Sequence, residues 1–167
     1  MGQGKSGGNL GRLILRTAVG GTMLAHGVRH AKTLEGTAGW FGSIGFREPK
    51  LQAAASAATE IGSGIAVLAG AATPLAASAV VGTMAVAAET VHRPNGFFIT
   101  AEGWEYVGLI SAASVAIAAL GPGRYSVDRA LGLDRVASGP KGALLAAGLG
   151  IAGAAAHLKL FWTRPQR

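Results

Sequence analysis

The 167-residue sequence contains no cysteine and is poor in charged residues. Without a thiol the chain cannot form disulfides, hold a metal through thiolates or carry out CxxC redox chemistry, so any thiol chemistry has to come from a partner. Charged residues make up 14% of the chain, against about a quarter in an ordinary soluble domain. The sequence therefore lacks the side chains that a water-exposed surface requires.

The charges that are present sum to a formal net charge of +7. The basic residues are scattered at the ends of apolar segments and do not form the basic stripe with interleaved aromatic residues that is typical of nucleic-acid binding. Anionic lipid headgroups are the counter-charge that this distribution favours. We therefore expect a lipid bilayer, and no nucleic acid, as a partner.

Hydrophobic residues make up 50% of the chain and fall into long segments, each near the roughly 20 residues that a helix needs to cross a bilayer. The predicted transmembrane helices cover about 11–31, 51–72, 75–92, 100–120 and 141–161. Small residues recur in them, and Gly148-Leu149-Gly150-Ile151-Ala152-Gly153 even spells GxGxxG. No strand precedes it, so it predicts close helix packing and not dinucleotide binding. The expected fold is an all-α, polytopic transmembrane helix bundle.

The remaining segments have less regular patterns. We predict a disordered lead over 1–10, an interfacial or re-entrant hairpin over 33–47, a linker over 134–140 and a polar tail over 162–167. The hairpin is too short to span a bilayer and carries aromatic residues among glycines, which is typical of a membrane interface. Basic residues divide almost evenly between the two sides, so charge does not set the orientation. Five crossings predict termini on opposite sides.

A set of ionisable residues interrupts the apolar segments. Because successive helices run in opposite directions, most of these residues are expected at one end of the bundle. At about 100° per residue, the spacing also places Arg16, His26 and His30 on one face of the first helix, and it gives the third and fourth helices a common polar face each. The candidate residues of a binding or intramembrane polar pocket are Arg16, His26, Arg29, His30, Glu60, Glu89, His92, Glu102 and Glu105.

Such a pocket could bind a metal, relay protons or hold a polar headgroup such as a quinone ring. The alternative is an internal ion-pair network, with the other residues at a wet interface. Glu60 falls near mid-membrane depth, where a lipid-facing charge costs about 2.5–3.5 kcal/mol or more, so we predict that it faces the interior and makes a polar contact. A shared pocket lined by His26, Glu89, His92 and Glu105 is predicted at the end that carries the hairpin.

Four short motifs carry a resemblance to a known family. They are Gly11-Arg12, His26-Gly27, Glu60-Ile61-Gly62-Ser63-Gly64 and Gly121-Pro122-Gly123-Arg124-Tyr125-Ser126-Val127-Asp128, which closes the fourth predicted helix. In these motifs the chain resembles the DoxX proteins over roughly 11–133. The resemblance implies a four-helix DoxX-like membrane domain, to which the helix over 141–161 is an addition.

The resemblance also implies a function. Some DoxX proteins are subunits of thiosulfate:quinone oxidoreductase, and another is described as the membrane part of a complex with superoxide dismutase and a thiosulfate sulfurtransferase. This favours a multi-pass subunit or scaffold in a bacterial inner membrane that docks redox or oxidative-stress enzymes. A quinone-linked oxidoreductase component and a small-substrate or proton-coupled transporter are the alternatives. The resemblance identifies no catalytic residue or metal ligand, and the chain is not expected to be catalytic on its own.

Overall fold

The computed structural model describes residues 3–165, and the side chains of residues 7–165. In chain order the α-helices are α1 (Gln3–Lys32), α2 (Leu34–Ser43), α3 (Pro49–Ala69), α4 (Thr73–Ala87), α5 (Glu105–Leu120), α6 (Val127–Ala130) and α7 (Gly139–Phe161). A π-helix (Ala88–His92) continues α4, and 3₁₀ turns follow at Arg93–Asn95 and Ile99–Ala101. The prediction of an all-α fold is confirmed.

The long helices pack side by side. α3 lies against α1 and α4, α5 lies against α1 and α4, and α7 packs against both α4 and α5. The chain direction alternates, so the ends of α1, α4 and α7 meet the starts of α3 and α5. We call this the tryptophan end, because Trp40, Trp104 and Trp162, all the tryptophans of the chain, lie there. The other end is the loop end, named for the segment 121–138 between α5 and α7.

Close packing between the helices depends on small residues. Gly150 of α7 lies against Val81 of α4, and Gly27 of α1 lies against the backbone of α3, so that a Cβ atom at either glycine would overlap its neighbour. Close backbone approach of this kind is what holds helices together in lipid. The predicted packing role of the 148–153 segment is confirmed for Gly150, whereas Gly148 and Gly153 face open space.

Two predicted segments differ from the structure. α1 begins at Gln3, so the predicted disordered lead is helical wherever the structure describes it. Each glycine lowers helix propensity by about 1 kcal/mol, but a helix already formed downstream can extend through such residues. The segment 33–47, predicted to be a hairpin, contains the helix α2, which buries Thr37 and Ala38 and packs against α3. Tertiary packing outweighs the low propensity of its glycines.

Large hydrophobic side chains cover the outside of the bundle: Ile65, Leu109 and Leu144 are 53%, 67% and 73% exposed. Two continuous helical segments of the described chain, Thr73–Asn95 and Gly139–Phe161, are long and apolar enough to cross a membrane. Only 22% and 17% of their most apolar windows are buried. The core helix of a soluble protein would be mostly buried, so these outward faces are suited to lipid.

Candidate functional site

A cavity of about 380 Å³ lies at the tryptophan end. Its walls are the first half of α3, α4 with the π-helix, and the second half of α7, and residues of α2 and the end of α1 also line it. α3 and α7 both pack against α4 but make few contacts with each other, which leaves the space between them. The volume falls within the roughly 300–1,000 Å³ of small-molecule pockets.

The lining of the cavity is mainly apolar and includes the aromatic residues Trp40, Phe41 and Phe46. The polar residues that line it are His30, Gln52, Ser56, Thr59, Glu60, Ser78, Thr83, Thr90, His92 and His157. Three of the four histidines of the chain are among them. Apolar walls with a small number of polar groups are typical of sites for small organic molecules.

Glu60 is the buried carboxylate of this cavity, with a relative exposure of 5%. Its Oε2 lies 3.1 Å from Nδ1 of His30, and its Oε1 accepts a hydrogen bond of 2.9 Å from the hydroxyl of Ser56. Within the described chain, neither Nδ1 of His30 nor Oε2 of Glu60 has any other hydrogen-bond partner. The prediction that Glu60 faces the interior and makes a polar contact there is confirmed.

The π-helix Ala88–His92 forms part of the α4 wall. A π-helix accommodates one more residue per turn than an α-helix, and here it places Thr90, Val91 and His92 along the cavity. Nδ1 of His92 lies 2.7 Å from the carbonyl oxygen of Glu102, which holds the ring in place. π-helical turns are rare and occur frequently at functional sites.

Several predicted site residues lie elsewhere. His26 of α1 packs against Tyr106 of α5, with ring centroids 6.4 Å apart. Oε2 of Glu105 accepts a hydrogen bond from the backbone N–H of Ile99. Arg29 is exposed near the end of α1. None of these side chains lines the cavity, because the cavity is formed on the α7 side of α4 and not at the contact between α1 and α5.

Residues 162–164 form a strap across the tryptophan end, and Glu89 of the π-helix forms an ion pair with it. Phe46 and Trp162 form an isolated antiparallel β-bridge, so the end of α7 is tied to a wall of the cavity. The carboxylate of Glu89 lies 2.6 Å from the guanidinium of Arg164. Arg93 lies at the same distance from this carboxylate, so two arginines outside the cavity neutralise the charge of Glu89.

The structure brings together three of the nine predicted residues, His30, Glu60 and His92. The predicted pocket of His26, Glu89, His92 and Glu105 is not the cavity of the described chain, since His92 alone of these four lines it. Ligand binding by the three cavity residues stays a prediction.

The DoxX family model matches residues 11–93, about half of the chain. This region runs from α1 to the π-helix and contains His30, Glu60 and His92. It is a DoxX domain. No curated protein and no solved structure matches the chain significantly. The DoxX domain, which belongs to a family of membrane proteins, therefore supplies α2, α3 and α4 of the cavity, whereas α7 lies outside the matched region.

Arg16 of the DoxX domain is in a different environment from the cavity residues. It lies toward the loop end with a relative exposure of 3%. Its guanidinium donates hydrogen bonds to the carbonyl oxygens of Val67, Leu68, Pro122 and Tyr125. Arg16 therefore caps the C-terminus of α3 and holds the segment that follows α5. Arg16, which was predicted to belong to the polar pocket, does not line the cavity that contains the histidines.

Asp128 completes this junction between the DoxX domain and the segment after α5. Its carboxylate accepts hydrogen bonds from the backbone N–H groups of Ala72 and Thr73, at 2.7 and 2.9 Å, and from the hydroxyl of Thr73 at 2.7 Å. A carboxylate at this position satisfies the first N–H groups of α4 and complements its dipole. The motif over 121–128 is therefore structural.

The cavity also contains residues that sequence reasoning missed, above all His157 of α7. The signal was present, since His157 is the one imidazole of its helix and follows a run of small and apolar residues over 142–156. In the described part of the chain no group of three or more His, Cys, Asp or Glu side chains is arranged to hold a metal ion. The imidazoles are spread over separate walls, an arrangement better suited to an extended organic ligand.

Proposed function

We propose that the protein is a multi-pass membrane protein whose cavity binds the headgroup of a quinone, as one component of a redox-linked complex in a bacterial inner membrane. The observation that carries this proposal is the pair formed by His30 and the buried carboxylate of Glu60 in the wall of a mainly apolar cavity.

Support for several crossings comes from the outer surface. The five long helices expose large apolar side chains on the outside of the bundle. Exposing these side chains is unfavourable in water but not in lipid. All three tryptophans gather at one end, as aromatic residues do at a membrane interface. α1 has 30 residues, so it extends about 45 Å, enough for the hydrocarbon core and one headgroup region.

Support for a quinone comes from the match between its chemistry and the lining. A quinone has an apolar ring and tail, which suit the aromatic and aliphatic walls, and ring oxygens that accept hydrogen bonds. His30 and Glu60 are the groups that would hold such an oxygen and keep a proton beside it, since Nδ1 and Oε2 have no partner other than each other in the described chain. When bound, a quinone supplies two-electron, two-proton redox chemistry.

The proposal includes a partner subunit, because this chain has no cysteine and the family resemblance implies partner enzymes. Since the chain has no cysteine, any thiol-dependent step of such a complex would take place in another protein. A superoxide dismutase or a sulfurtransferase, the partner types that the family resemblance implies, would dock at a surface of the bundle outside the lipid. The DoxX protein would then provide the membrane anchor and the quinone site.

The test is quinone binding by the purified protein in lipid nanodiscs. A decyl-substituted para-benzoquinone is titrated while tryptophan fluorescence is recorded, because Trp40 lines the cavity and a quinone in contact with it quenches emission. Replacing the pair, by His30→Phe or Glu60→Leu, is expected to weaken binding by about tenfold, the effect of losing one hydrogen bond to a charged group.

Control variants of the same residue types exist outside the cavity. His26→Phe changes a histidine one helical turn from His30 but outside the cavity, and Glu105→Gln changes a carboxylate that only caps a turn. Both variants are expected to bind like the wild type. Absence of saturable binding to the wild type, or equal losses for His26→Phe and His30→Phe, would contradict the proposal.

A further inference from the structure

His157 is the polar residue that α7 contributes to the cavity. The other α7 residues in the lining are Leu149, Gly150, Gly153 and Ala154, which carry no polar side-chain atom. α7 packs closely against α4 through Gly150, so the backbone that carries His157 is held in place.

The ring of His157 is oriented by aromatic neighbours and not by hydrogen bonds. It lies between Phe46 and Phe161, with ring centroids 5.9 and 5.3 Å away. No residue that the structure describes forms a hydrogen bond with it. A partly buried imidazole without a hydrogen-bonding partner carries a desolvation cost, which a ligand in the cavity can remove.

His157 is therefore separated from the pair of His30 and Glu60, and the polar residues of α4 and its π-helix lie between them along the chain. His30 and Glu60 are contributed from the side of α1 and α3, and His157 is contributed from α7, which packs on α4 beside α3 without closing the space between them. A ligand that fills this space meets hydrogen-bonding groups on both sides.

We infer that His157 is a second polar contact for the ligand, so that the cavity selects a ring with oxygen atoms on opposite edges, one held by His30 and Glu60 and the other by His157. This inference rests on the proposed quinone site and adds a specificity-determining residue outside the DoxX domain. A para-quinone, with two opposed carbonyl oxygens, has this chemistry, whereas a simple phenol has one ring oxygen.

The experiment compares two probes, decyl-para-benzoquinone and para-decylphenol, on the full chain in nanodiscs. The wild type is expected to prefer the two-oxygen probe. His157→Phe keeps the ring contacts with Phe46 and Phe161 but removes both nitrogens, and it is expected to weaken quinone binding by about tenfold while leaving phenol binding unchanged. His157→Gln, which retains a donor and an acceptor, is expected to recover most of the preference.

The outcomes separate this inference from the proposed function. If the wild type binds the quinone and His157→Phe binds it equally well, the role of His157 is overturned and the quinone site stands. If the wild type binds neither probe, the proposed function fails and this inference fails with it. If His157→Phe weakens both probes equally and thermal unfolding shows lower stability, His157 only packs the wall, which also overturns the inference.

Discussion

Arg16 shows at the scale of one residue how a buried charge can serve structure and not a site. Its four carbonyl partners end α3 and shape the segment after α5. The helical spacing in the sequence places Arg16 on the same face of α1 as His30. The two residues are nevertheless about 21 Å apart along α1, at 1.5 Å per residue, so a shared face did not mean a shared pocket.

Substituting Arg16 is expected to reduce stability without changing the ligand site. In Arg16→Lys a compact ammonium cannot reach four carbonyl oxygens, and buried acceptors lose their donors, so we expect a loss of about 2 kcal/mol. Thermal or denaturant unfolding in detergent measures it. Arg12→Lys is the control, because the hydrogen bond that the structure describes for the Arg12 side chain is a single one, to the carbonyl oxygen of Leu120. Quinone affinity of the folded Arg16→Lys protein should equal that of the wild type, and equal stability of the two variants would contradict the capping role.

α7 shows at the scale of one element how a helix outside the DoxX domain can complete a site. Its position depends on contact with α4, where Gly150 leaves no room for a Cβ atom beside Val81 and the carbonyl of Ser78. Gly148, two residues earlier on the same helix, faces open space. The two glycines therefore offer a matched pair of substitutions.

Gly150→Ala is expected to push α7 away from α4 and widen the cavity. Overpacking of this kind costs about 1–3 kcal/mol, and quinone affinity should fall as well because the wall that carries His157 moves. Gly148→Ala should keep or slightly raise stability, since alanine favours helix more than glycine. Unfolding and quinone titration measure both effects. Identical behaviour of the two variants would show that the α4–α7 contact does not position the wall.

The residue ranges of two helices were predicted closely from the sequence. The predicted helices over 75–92 and 141–161 correspond closely to α4 with its π-helix and to α7, because apolar runs bounded by proline and glycine carry a strong local signal. The predicted helix over 100–120 is shorter in the structure, where α5 begins at Glu105. α2 was missed as a helix, because its stability comes from packing on α3 and not from its own residues.

At the scale of the whole molecule, the arrangement predicts how the chain crosses the membrane. Five long helices with alternating direction place the start of α1 at the loop end and the end of α7 at the tryptophan end. Since the chain has no cysteine, a single introduced cysteine reports on its own position without background.

Cysteines introduced one at a time at Gly7 and Pro165 are expected to react with a membrane-impermeant maleimide from opposite sides of the membrane. Intact cells and inverted membrane vesicles distinguish the two sides, and the unsubstituted chain is the control for background. Labelling of both positions from the same side would mean that one long helix does not cross, and α5, with 16 residues, would be the first to examine.

The sequence by itself determined the helical, lipid-compatible character of the chain, the approximate helices and the inward direction of Glu60, because hydropathy and helical spacing act within each segment. Only the tertiary structure decided that Glu60 pairs with His30, that Arg16 and Glu89 serve a junction and a strap, and that His157 joins the cavity. Spacing determines the angle and depth of a side chain on its own helix. Which faces meet depends on the rotation and choice of neighbouring helices, and here close contacts such as Gly150 against Val81 decide both.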